Sequence, residues 1–103
     1  DDMASTTIKD IRRKKENTIF YYQKNFETDF VVLQKNSIKE VIQVCYDLEN
    51  PQTLEREKRA IIEACKNLQQ KKGIIINQYL EKEEQCDGVT ICYIPLYRWL
   101  MEN

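Results

Sequence analysis

The sequence predicts a mixed α/β domain, a central sheet of about five strands flanked by helices. Three β-branched and aromatic runs follow one another between residues 18 and 45, each of strand rather than helix length. One long amphipathic helix then begins at Asn50-Pro51, and an apolar triplet, Ile74-Ile75-Ile76, follows it. Strand, helix, strand calls for a right-handed crossover, with the strand at 74–76 parallel to the one before the helix.

The first strand is TIFYYQ at 18–23, closed by Asn25 with a turn at 24–26. The second, 27–33, contains the unbroken apolar run Phe30-Val31-Val32-Leu33, which implies cover on both faces and a central place in the sheet. A polar turn at 34–37 leads to the third, 38–45, whose end reads Val41-Ile42-Gln43-Val44-Cys45. A lone glutamine in such a run needs a hydrogen-bond partner. Proline fits the first helical turn, where its missing donor costs nothing, so the helix starts at 51 and is expected to reach about 70. Leu54, Ile61, Cys65 and Leu68 recur at helical spacing, with Ile62 and Lys58 beside them, and form the stripe that packs on the sheet. Gly73 is the expected left-handed stop.

Residues 79–84 are acidic and expected to be exposed. Asp87-Gly88 signals a two-residue hairpin joining 85–86 to 89–94, with the latter as an edge strand open to a sheet-to-sheet homodimer. Pro95 introduces a last short helix in which Leu96, Trp99 and Leu100 meet on one face. Before all this, residues 1–17 form a helical or flexible lead-in. Ser5 to Thr7 would cap a short helix whose apolar positions are Ile8 and Ile11, ending in the solvated basic run Arg12-Arg13-Lys14-Lys15. The organisation expected is therefore this lead-in and one domain at 18–103, cut from a longer chain.

At 42% hydrophobic and 32% charged residues the chain has a globular composition, and its net charge of −1 gives no molecule-wide field to recruit nucleic acid or membrane. Without a run of about 18 apolar residues or a signal-peptide core, the expected location is the cytoplasm, with no membrane partner. The four cysteines lack C-x-x-C spacing and read as reduced thiols. No histidine is present, which excludes Ser-His and Cys-His nucleophile pairs and leaves carboxylates, lysine or a bound metal as the means of any catalysis. The two glycines make no phosphate loop.

Strand, strand, strand, helix, strand, with an acid on the second strand and a polar residue late in the third, resembles the PD-(D/E)XK nuclease superfamily. The phrases ETDFVV, IQVCYDLENPQTLEREKRAI and IPLYRWL resemble the carboxy-terminal domain of unknown function found on AAA-type ATP-binding proteins of bacteria and archaea. The resemblance runs from about residue 18 to 101 and implies a restriction-endonuclease-like fold and an ATPase module on the same full-length chain. It also implies site positions. Asp29 and Gln43 would hold a divalent cation such as Mg²⁺, and Cys45 occupies the place where active members carry the lysine that orients the attacking water. Glu27, two residues from Asp29, shares its face and could add a carboxylate.

A hard cation wants oxygen ligands, and phosphodiester cleavage wants positive charge near the developing oxyanion. Cys45 supplies neither. Lys39 lies about 13 Å from Gln43 along the strand, so Lys58, early in the helix, is the candidate relocated lysine. The expectation is a catalytically silent nuclease-like domain that binds nucleic acid or protein. An endonuclease with a relocated lysine and a pure protein-interaction module are the alternatives.

Overall fold

The computed structural model describes residues 17–24, 27–34 and 37–102, with side chains from 41 to 101. The expected lead-in lies outside the described residues, apart from Asn17, as do most of the turns at 24–26 and 34–37. The strands are β1 (Asn17–Lys24), β2 (Glu27–Gln34), β3 (Ser37–Val44), β4 (Lys72–Asn77), β5 (Lys82–Cys86) and β6 (Val89–Pro95). The helices are α1 (Pro51–Asn67) and α2 (Leu96–Glu102). The chain is thus mixed α/β, and the described residues form one six-stranded sheet in the order β1-β2-β3-β4-β6-β5. β1, β2 and β3 form an antiparallel meander, β3, β4 and β6 run parallel, and β5 closes antiparallel on β6.

Strand alternation divides the core between two faces. Val41, Ile75, Val89, Ile91 and Tyr93 pack with Ile61, Ile62, Ala64 and Cys65 of α1. On the other face Ile42, Ile74, Ile76 and Cys92 meet Trp99 of α2. Because both faces are covered, β4 and β6 read as continuous apolar runs.

Four expectations need correction. Among the described residues the sheet has six strands rather than about five, because the pairing with β6 extends from 85–86 back to Lys82, over residues that stay largely exposed as expected. Strand β6 is consequently internal, not the edge: its Val89, Ile91, Cys92 and Tyr93 are buried, while the charged β5 faces solvent. Helix α1 stops at Asn67, and the left-handed residue is Gln69 (φ 57°), with Gln69 N–H donating to Lys66 O and Gln70 N–H to Cys65 O. This is the Schellman pattern with glutamine in the glycine position. Gly73 instead lies in β4 beneath α1, where an added Cβ would stand 2.6 Å from Ile61 Cγ1 and 2.9 Å from Cys65 Sγ. Finally, Leu100 is exposed and does not join Leu96 and Trp99 against the sheet.

Asp87 (φ 54°) and Gly88 (φ 79°) form the hairpin turn between β5 and β6, both in the left-handed region that such a turn demands. Among the described residues no helix is long and apolar enough to cross a membrane.

Candidate functional site

Backbone pairing across β2 and β3 sets Asp29 directly opposite Gln43, and Asp29 also pairs with Tyr22 of β1. The two positions singled out in the sequence are thus register partners in the interior of the sheet. Glu27 pairs with Lys24 at the β1–β2 turn. For Asp29 and Glu27 the description stops at the backbone.

Gln43 is 1% exposed and sits on the α1 face of β3. Its partner is Glu57, itself 5% exposed on α1. Asn50 caps that helix, its Oδ1 accepting from Gln52 N–H at 2.8 Å and Thr53 N–H at 3.4 Å, with Pro51 at the first position. The start of α1 is thereby fixed, and Glu57 comes to lie over the end of β3. Gln43 Nε2 donates to the Glu57 carbonyl at 3.0 Å and to the Glu57 carboxylate Oε2 at 2.5 Å. A carbonyl and an ionised carboxylate only accept, so the amide must turn its NH₂ and not its oxygen toward Glu57. Its oxygen is turned the other way, and Gln43 Oε1 has no hydrogen-bond partner among the described residues. A buried, unmatched acceptor of this kind is uncommon in a folded chain.

Cys45 stands at the exit of β3, partly buried, with its thiol donating to Asp47 O at 3.7 Å. Burial, then the negative charge of Glu57 and a hydrogen bond to it, push the thiol up to about 12, outweighing the opposing charge of Arg56. The thiol is therefore neutral at physiological pH. Lys58 does not stand in for it: its Nζ lies 3.6 Å from Glu84 Oε1 on β5, with β4 and β6 between that strand and β3. Glu84 also accepts from Tyr93 Oη at 2.5 Å, and that bond holds its carboxyl below the ordinary range, with Lys58 and Lys82 adding to the effect.

The structure therefore brings together Gln43, Cys45 and Glu57, sets Asp29 opposite Gln43 by backbone register, and takes Lys58 elsewhere. Glu57 was missed in the sequence because it stands in the charged stretch Glu55-Arg56-Glu57-Lys58-Arg59. A signal was nevertheless present. Leu54, Glu57, Ile61, Ala64 and Leu68 follow one helical stripe, so Glu57 occupies an inward position among apolar ones.

Would these residues suit the Mg²⁺ that the sequence suggested? Among the described residues no group of three or more Cys, Asp or Glu is arranged to hold a metal ion. Gln43 Oε1 is a hard, unmatched oxygen, but the Glu57 carboxylate is engaged by Gln43 Nε2 and the Cys45 thiol is soft and protonated. The described donor set does not fit a hard cation.

No family model matches the chain, and no solved structure matches it. It is similar to the uncharacterized protein MJ1544 of Methanocaldococcus jannaschii, 45% identical over 53 residues. That stretch is 52% of this chain and 11% of the archaeal protein.

Proposed function

We propose that this is a nuclease-like accessory domain of a prokaryotic AAA-type ATPase, with a restriction-endonuclease-like fold, which binds nucleic acid or protein and does not cut. The observation that carries the reading is the Gln43–Glu57 pair beside Cys45. Phosphodiester hydrolysis needs positive charge where the oxyanion develops, and a neutral thiol cannot provide it. Lys58, the nearest lysine in sequence on α1, is held by Glu84.

Two further facts support the reading. The meander β1-β2-β3, the connection through α1 and the parallel β4 agree with the strand plan that the sequence resemblance implied, and Asp29 and Gln43 lie on adjacent strands as that plan asks. The stretch shared with the archaeal protein is a ninth or so of that chain, which suits a module carried by a longer protein.

Calorimetric titration of Mg²⁺ and Mn²⁺ into the domain, with Asp29→Asn as control, tests the silent site. No Asp29-dependent binding is expected, and no metal-dependent cleavage of plasmid DNA. Cleavage that disappears in Asp29→Ala would overturn the proposal and establish an endonuclease built on Asp29 and Gln43. Retention of DNA that weakens with salt would identify nucleic acid as the partner, and its absence a protein.

A further inference from the structure

A second feature lies at the carboxyl ends of β3 and β4, just beyond Gln43 and Cys45. Beyond the last ladder pair the two segments stay joined, with Cys45 N–H donating to Ile76 O at 2.9 Å and Gln78 N–H to Tyr46 O at 3.0 Å. The buried Asn77 then shapes the exit of β4. Its Oδ1 accepts from Tyr79 N–H at 3.1 Å and Leu80 N–H at 2.6 Å, while Nδ2 donates to Leu80 O at 3.0 Å. These bonds fix the backbone that carries Tyr46 and Tyr79, which leave 58% and 52% of their surface exposed.

Between these segments and the first turn of α1 lies a cavity of about 180 Å³. Leu48, Leu54 and Leu80 contribute apolar lining, and Tyr46, Tyr79 and Glu49 also border it. Small-molecule sites usually enclose roughly 300–1,000 Å³, so this one has room for a single side chain. Its charge selects which. Glu49 borders the cavity together with Tyr79, and the Asp47 carboxylate stands just before Glu49 in the chain, accepting from Glu49 N–H at 2.9 Å. Lys82 also borders the cavity, but its ammonium is placed over the Tyr93 ring, 5.3 Å from the centroid. The first amides of α1 are already taken by Asn50.

We infer that this cavity receives an arginine side chain of a partner protein, its stem on the leucines and its guanidinium between the tyrosine rings and the Glu49 carboxylate. An amphipathic side chain matches an apolar floor with an aromatic and acidic rim. Arginine suits it better than lysine because its planar head both stacks on rings and bonds carboxylates in pairs. The inference goes beyond the accessory-domain reading and does not depend on Asp29 or Gln43.

The test is an NMR titration of the unaltered chain with acetyl-Gly-Arg-Gly-amide, and with the same peptide carrying citrulline or norleucine in place of arginine. The expected result is saturable shifts at Tyr46, Leu54 and Tyr79, with the arginine peptide bound at least about tenfold more tightly than either neutral one. Glu49→Gln should remove most of that preference without loss of spectral dispersion. Equal binding of the norleucine or citrulline peptide, saturable shifts elsewhere in the molecule, or no shifts up to millimolar peptide would each overturn the inference. The comparison among peptides needs no variant, so it stands even where a substitution unfolds the chain.

Discussion

Both amide hydrogens of Gln43 are taken by one residue, Glu57, which bonds them through its carbonyl and its carboxylate. Removing the carboxylate leaves part of a buried amide without an acceptor, so Glu57→Ala should lower stability by about 1–3 kcal/mol, read as a lower denaturant midpoint with unchanged slope. Glu57→Gln keeps an oxygen in place and should cost clearly less. Equal losses in the two variants would show that the bond to Gln43 contributes little. The sequence announced half of this pair: a glutamine in an apolar run must find a donor or acceptor, whereas a glutamate among charged neighbours becomes informative only once the helix is laid against the strand. Cys45 gives the residue scale a pH dependence. Its thiol titrates at about 12 rather than 9.0, so above 9.0 the unfolded chain releases a proton that the folded chain keeps. The stability linked to that proton is complete below 9.0 and is lost as pH rises toward about 12. Tyr79 and Tyr93 are shifted in the same direction and steepen the fall. Urea unfolding at a series of alkaline pH values should therefore show a shallower decline in Cys45→Ala than in the parent, and an unchanged decline would remove Cys45 from the account.

Elements whose sequence carries its own period were legible, and those defined by a neighbour were not. The strands of the meander, the Asn50-Pro51 start of α1 and the Asp87-Gly88 turn agree with the sequence to within a residue or two, because β-branched runs, caps and left-handed turn residues act locally. β5 reads Lys-Glu-Glu-Gln-Cys, without apolar alternation, and is a strand only because β6 pairs with it. The same contrast explains the end of α1. A glycine just past a helix suggests a stop, but here Gln69 takes the left-handed conformation and Gly73 is needed for the close approach of Ile61 and Cys65. The two assignments predict opposite mutational outcomes. Gly73→Ala should destabilise by about 1–3 kcal/mol, since the new methyl must displace packed core atoms. Gln69→Gly should stabilise by about 0.5–1 kcal/mol, since glycine adopts a positive φ without steric cost. Thermal or denaturant unfolding of both variants separates them, and a stabilising Gly73→Ala would mean that α1 and β4 are less tightly apposed than the structure has them.

At the scale of the whole molecule the question is what its charges leave available to a partner. Sixteen basic residues face seventeen acidic ones, and many of the cations in the described region are already placed. Lys58 lies beside Glu84, Lys66 beside Asp87 and Arg98 beside Glu81 at 2.6 Å, while Lys82 sits over Tyr93. A protein that makes 6–10 phosphate contacts loses roughly 10³–10⁵ in DNA affinity between 50 and 200 mM salt, because each contact releases counterions. A surface with these four cations placed, and with two tyrosines and Glu49 around the apolar cavity at the ends of β3 and β4, should make few such contacts. Fluorescence anisotropy of a short duplex is therefore expected to show weak binding whose affinity changes by less than about tenfold over that salt range. Were the slope instead that of six or more phosphates, the basic run Arg12-Arg13-Lys14-Lys15 would be the first place to seek the cations responsible. Its replacement by glutamines should then flatten the slope by roughly one phosphate contact per residue removed. A shallow slope would favour a protein over nucleic acid among the partners of the proposed accessory domain, and the cavity proposed to accept arginine becomes the surface on which to look for it.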